Sequence, residues 1–87
     1  MEVHVYGPLR AATGSKRIDI EPSGDTVRAV LDALCAAYPR AESQLLDGSG
    51  SLRPSVRVTV DGDRASLDDT CPSGSEVRVF PAMRGGS

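Results

Sequence analysis

The amino-acid sequence predicts an α+β fold in two layers, with one sheet packed against one main helix. Three observations carry this. Short runs of alternating valine and isoleucine recur at both ends of the 87-residue chain and in its second half. A single stretch, DTVRAVLDALCAAYP, has strong helical periodicity. Clusters of glycine, proline, serine and aspartate separate these segments, as turns and loops do. A sheet with one apolar face and a helix with one apolar stripe bury both by stacking.

The first strand is MEVHVYG, in which Val3 and Val5 share one face, while Glu2, His4 and Tyr6 share the other, before Gly7-Pro8 ends it. Leu9 to Gly14 reads as a loop with Leu9 as its apolar anchor. SKRIDIE restores the alternation with Ile18 and Ile20 inward, and EPSGD breaks it. In the helical stretch, Val27, Val30, Leu31, Leu34 and Cys35 follow the spacing i, i+3, i+4, i+7, i+8 and form one stripe. Thr26 is placed to cap that helix, Asp25 suits the positive end of its dipole, and Pro39 stops it after Tyr38.

RAESQLL predicts a short further turn of helix with Leu45 and Leu46 tucked in, ended by DGSGS. SVRVTVDGD is the cleanest strand, with Val56, Val58 and Val60 inward and Arg57 and Thr59 outward. Asp61-Gly62 signals a two-residue hairpin turn into a short return strand, DRASL. After the loop DDTCPSGS, EVRVFP forms the closing strand, Val77 and Val79 inward, halted by Pro81.

Composition excludes several functions. Eighty-seven residues make one domain that buries only about 60–65% of its unfolded surface. Cys35, Cys71 and the single histidine, His4, have no metal-ligand spacing, so no metal site is expected. Cys35 reads as a core residue, and Cys71, in a loop before Pro72, as an exposed thiol without a flanking cation to lower its pKa. Acids and arginines are interspersed around a net charge of −2, without the basic stripe that nucleic-acid binding needs. No run approaches the ~18 apolar residues of a membrane span, and the N-terminus carries no secretory signal, which predicts a cytoplasmic protein. No catalytic dyad or phosphate-binding loop is present.

The chain ends in FPAMRGGS, where Gly85 and Gly86 pack nothing and carry a high ordering cost. Residues 1–81 therefore read as the folded domain and 82–87 as a flexible C-terminal tail. A tail of this kind is either inert or the working part, thin enough to thread into another protein. From Pro81 to Gly86 an extended chain reaches about 20 Å at ~3.3–3.6 Å per residue. The outward sheet face offers Tyr6, His4, Arg57, Arg78 and Phe80 as a docking surface beside that tail, since aromatic residues and arginine are enriched in binding hot spots.

Three stretches in this order, GDTVRAVLDAL (24–34), LLDGSGSLRPSVRVTVDGD (45–63) and GSEVRVFPAMRGG (74–86), resemble the ubiquitin-like sulfur carriers of the MoaD/ThiS family. The likeness covers most of the chain and is nearest to the MoaD-like, cysteine-biosynthesis and small archaeal modifier branches. It implies a β-grasp, ubiquitin-like fold: a mixed sheet of four to five strands with one main helix. It also implies a carrier rather than an enzyme. An E1-like activating enzyme of the MoeB/ThiF type would use ATP and Mg to adenylate the Gly86 carboxylate. A sulfur donor would then convert it to a thiocarboxylate that feeds a biosynthetic enzyme. The carrier itself would hold no cofactor.

Many relatives read F-P-P-V-x-G-G, whereas here Ala82 and Met83 replace the second proline and the valine, and Arg84 precedes the glycines. Ser87 departs further, because the family's reactive group is the last glycine's carboxylate. The resemblance favours a precursor from which a metallopeptidase removes Ser87; a serine foreign to the natural chain is the alternative. Phe80, Pro81, Met83 and Arg84, with Tyr6, Arg57 and Arg78, are the partner-binding candidates. Two other roles fit the same sequence: a protein modifier joined by isopeptide bonds to target lysines, and a β-grasp binding module with an unreactive tail.

Overall fold

A computed structural model describes residues 1–54 and 56–81. Five strands form one mixed sheet in the order β2-β1-β5-β3-β4: β1 is Glu2–Val5, β2 Arg17–Asp19, β3 Arg57–Val60, β4 Asp63–Ala65 and β5 Val77–Phe80. The first and last strands lie side by side and parallel at the centre, with Val3 beside Val77 and Val5 beside Val79. Every other pairing is antiparallel. This is the β-grasp wiring.

Three helices cover one face: α1 (Leu9–Thr13), α2 (Val27–Ala37) and α3 (Pro39–Leu45). The alternation that predicted the strands sends Val3, Val5, Ile18, Val58, Val77 and Val79 into the core, where they meet Val27, Val30, Leu31 and Leu34 of α2. Burying one such side chain stabilises by roughly 1.5–3 kcal/mol, so the shared apolar layer supplies most of the driving force.

The start of α2 is built as its sequence requires. The Thr26 hydroxyl accepts the Ala29 N–H at 3.2 Å. The free N–H groups of Val27 and Arg28 donate to the carbonyls of Asp69 and Leu67, at 3.0 and 2.8 Å. The segment between β4 and β5 is thereby stitched to the helix, and Cys71 N–H donates to Asp25 O at 2.6 Å.

The structure corrects three expectations. Leu9 to Gly14 is not a loop: Leu9–Thr13 is a helical turn, closed by Gly14 at φ 79 with its N–H on Arg10 O. Proline just ahead of a helix and glycine just past it are the matching signals. Leu9 does anchor it, fully buried against the core. The two cysteines exchange roles: Cys35 is half-buried on the flank of α2, whereas Cys71 is 1% exposed. Cys35 lies at the end of the stripe where α2 gives way to α3, and Cys71 is drawn in by its backbone bond to Asp25. Leu46 and Val60 are only partly buried at the margin of the core.

Candidate functional site

The outer face of the sheet, away from the helices, is ordered along the strands. Pairing across the sheet aligns Arg17, His4, Arg78, Thr59 and Arg64 in one row, one residue from each strand. At the end of that row where β5 begins lie acids. Arg17 Nε is 3.1 Å from Glu2, Arg78 Nη2 donates to Glu76 at 2.9 Å, and His4 Nε2 is 3.7 Å from both carboxylates. The separation of 3.7 Å marks proximity rather than a hydrogen bond. Arg17 and Arg78 are each paired with a carboxylate on that side.

At the other end, where β5 finishes, the face turns aromatic. Tyr6 follows β1 and Phe80 ends β5; because the two strands are parallel and adjacent, both rings emerge on the same side. They stack at a centroid distance of 4.5 Å with planes 11° apart. Arg57 lies directly across from Phe80 on β3. Tyr6 remains 37% exposed, Arg57 is exposed, and Pro81, the next residue after Phe80, is buried. The last described residue is therefore held in the body with an aromatic and cationic surface at its side.

Of the residues that the sequence singled out, Tyr6, Phe80, Pro81 and Arg57 come together at this end of the sheet, whereas Arg78 is turned towards Glu76 on the opposite side of the row. Met83, Arg84, Gly85, Gly86 and Ser87 lie outside the described residues. The alternation placed Tyr6 and Phe80 on the outer face but not in contact, since contact needs β1 and β5 to be neighbours. Sequence reasoning missed Glu2 and Glu76 as the partners that hold Arg17 and Arg78. Their odd-even phase with His4 and Arg78 was the available signal.

Neither thiol is prepared for chemistry. Burial, with the nearby Glu42 and Asp32 carboxylates, pushes Cys35 up to about 11. Burial, with Asp61, also raises Cys71. A raised pKa lowers the thiolate fraction on which nucleophilic or redox reactivity depends.

Comparison with known proteins agrees with this fold. Residues 3–86 match the ThiS family. Small archaeal modifier protein 1 of Haloferax volcanii is 33% identical over 87 residues, covering 99% of this chain and all of that protein. Its crystal structure superposes with a TM-score of 0.85, covering 99% of this chain and 98% of that one. CysO of Mycobacterium tuberculosis is 30% identical with a TM-score of 0.78, covering 94% and 98% of the two chains. A chain of the Amycolatopsis orientalis BexX/CysO complex, at 23% identity and a TM-score of 0.81 over 98% of each chain, shares the fold. The chain belongs to the ThiS family, among the ubiquitin-like small modifiers and sulfur carriers that are not themselves catalytic enzymes.

Proposed function

We propose that this protein is a sulfur carrier whose reactive group is the carboxylate of Gly86, exposed by removal of Ser87. An E1-like enzyme of the MoeB/ThiF type, using Mg-ATP, joins that carboxylate to AMP and releases pyrophosphate. A hydrosulfide-equivalent donor then attacks the acyl carbon, AMP leaves with the bonding pair, and a thiocarboxylate remains. A biosynthetic enzyme in the same cytoplasmic compartment accepts the sulfur. The carrier's own contribution is positional: a thin Gly-Gly end to present, and a surface by which the activating enzyme recognises the body.

The observation that carries this proposal is the placement of Tyr6, Phe80 and Arg57 around buried Pro81, the point from which residues 82–87 continue. A partner seated on the aromatic pair contacts the body and the start of the tail together. The glycines at 85 and 86 then carry no side chain that would widen the thread. A metallopeptidase is the class of enzyme assigned to the removal of Ser87.

A modifier role shares the adenylate and differs only in the acceptor, a lysine amine in place of a sulfur nucleophile. It draws support from the name of the Haloferax volcanii relative. The deciding experiment is the intact mass of the protein taken from its native cells. A chain lacking Ser87 with one oxygen replaced by sulfur supports the carrier. Reductant-stable adducts to other proteins support the modifier, and an unaltered chain under sulfur-demanding growth overturns both.

A further inference from the structure

We infer that a second surface, an arginine-lined cleft at the β4 edge of the sheet, binds an extended acidic segment of a partner protein. The cleft encloses about 380 Å³. Four arginines line it: Arg28 in the first turn of α2, Arg53 before β3, Arg57 at the start of β3 and Arg64 in β4. Nine arginines and one lysine are balanced by twelve acids over the whole chain, net −2. Yet among the described residues the only acid lining this cleft is Asp68. The local excess of positive charge is completed by the fold, which sets Arg28 of α2 beside three arginines of the segment 53–64.

Two of the four are already engaged. Arg28 Nη2 is 3.2 Å from Asp68, and Arg53 Nε donates to Ser43 O at 2.8 Å, which fixes its direction. Arg57 and Arg64 have no side-chain hydrogen bond or ion pair among the described residues. Arg64 pairs with Thr59, so Arg57 is its diagonal neighbour two positions along β3. Such diagonal positions lie roughly 7–8 Å apart. Two carboxylates at alternate positions of an extended peptide are separated by about 6.5–7 Å. Each guanidinium can therefore take one carboxylate in a forked pair.

The remaining walls choose between anions. Half-buried Leu52 and Leu67 give the cleft an apolar side, which suits leucine or valine between the acids. Among the described residues no aromatic ring lines it for a base to stack on, which disfavours a nucleotide or a single-stranded nucleic acid. Asp68 disfavours a dense polyphosphate. β4 is the last strand of the sheet, so an extended segment can lie along its open side. None of this depends on the chemistry of residues 82–87.

The test is fluorescence anisotropy with a labelled synthetic peptide, Leu-Glu-Val-Glu-Leu-Asp, titrated with the full chain. The expected result is saturable binding that weakens as salt shortens the Debye length to about 3 Å at 1 M. R57E and R64E should each weaken it roughly tenfold or more, the loss of one charge-assisted contact. R10E, an equal charge change at an exposed position outside the cleft, should retain binding. Amide shifts in the unaltered protein should cluster at Arg28, Leu52, Arg64 and Leu67, which keeps the test independent of whether a variant folds. The assignment is overturned by absence of binding, by equal loss in R10E, or by shifts elsewhere. Equal or tighter binding of tripolyphosphate or a short oligonucleotide overturns it as well.

Discussion

Tyr6 and Phe80 stack face to face at 4.5 Å on the outer side of the sheet, joining the first strand to the last where the chain leaves the body. The pair closes over the end of the central parallel ladder, and Arg57 flanks it from β3. In the proposed docking, packing and recognition meet in the same two rings.

The first prediction separates those contributions. Tyr6→Ala, Phe80→Ala and the double variant, measured by urea unfolding, should give a coupling of about 0.5–1.5 kcal/mol for the stacked pair. Both single variants should remain folded, because Tyr6 is 37% exposed and Phe80 is only partly buried. Binding to the activating enzyme should fall in both. Additive unfolding free energies would show that the rings are neighbours without being partners.

The tail supplies the second. Gly86→Ala should slow adenylation by the cognate activating enzyme while leaving the urea midpoint where it was. A methyl group at that position restricts the backbone and widens the thread, and among the described residues the hydrophobic core cluster ends at Val79. An unchanged adenylation rate, measured by pyrophosphate release, would count against tail threading.

Leu9→Ala is the third. Leu9 has no exposed surface and anchors α1 to the core, so truncation should cost about 2–5 kcal/mol, as buried leucines do. That is a large share of the roughly 5–15 kcal/mol that holds a small domain together. A cost below 1 kcal/mol in urea unfolding would mean that α1 is dispensable to the core.

Leu9 also shows where the sequence stopped being informative. Its apolar character marked it as an anchor, but five residues are too few to show a helical period, and Pro8 and Gly14 were the only flags. The strands were legible because alternation is a local property that survives in four residues, as Val77 and Val79 show. The order of the strands was not, since nothing in MEVHVYG or EVRVFP states that they pair in parallel; the family resemblance supplied that. The two cysteines failed for a related reason. Burial at Cys71 depends on a backbone bond to Asp25, 46 positions away in sequence, and no window on the chain spans it.

Those cysteines give the fourth prediction. With Cys35 raised to about 11 and Cys71 raised and buried, both should alkylate slowly with iodoacetamide at pH 8, well below the rate of an ordinary thiol with pKa about 8.5. Cys35 should react first because it is the more accessible. Glu42→Gln should speed it, since removing a nearby negative charge lowers the thiol's pKa. Urea should bring both to the same fast rate. Fast labelling of Cys71 in the native protein would contradict its burial.

Asp47 carries the pH dependence. Its carboxylate accepts the Ser49 hydroxyl at 2.7 Å and the N–H groups of Ser49 and Ser51 at 2.9 and 3.1 Å. The Ser49 hydroxyl, then these backbone donors, and then Arg53 hold its pKa below the ordinary 3.8. A carboxyl whose folded pKa is depressed stabilises the fold fully above the ordinary value. That contribution is lost as the pH falls from 3.8 through the lower folded value. Asp47→Asn keeps an acceptor of the same shape and removes the charge. The difference in unfolding midpoint between the two proteins should therefore be constant from neutral pH down to about 5, then shrink towards zero in stronger acid. It should also be small and salt-sensitive, because the turn is open to solvent. A difference that persists unchanged in strong acid would show that the turn depends on the shape of residue 47 and not on its charge.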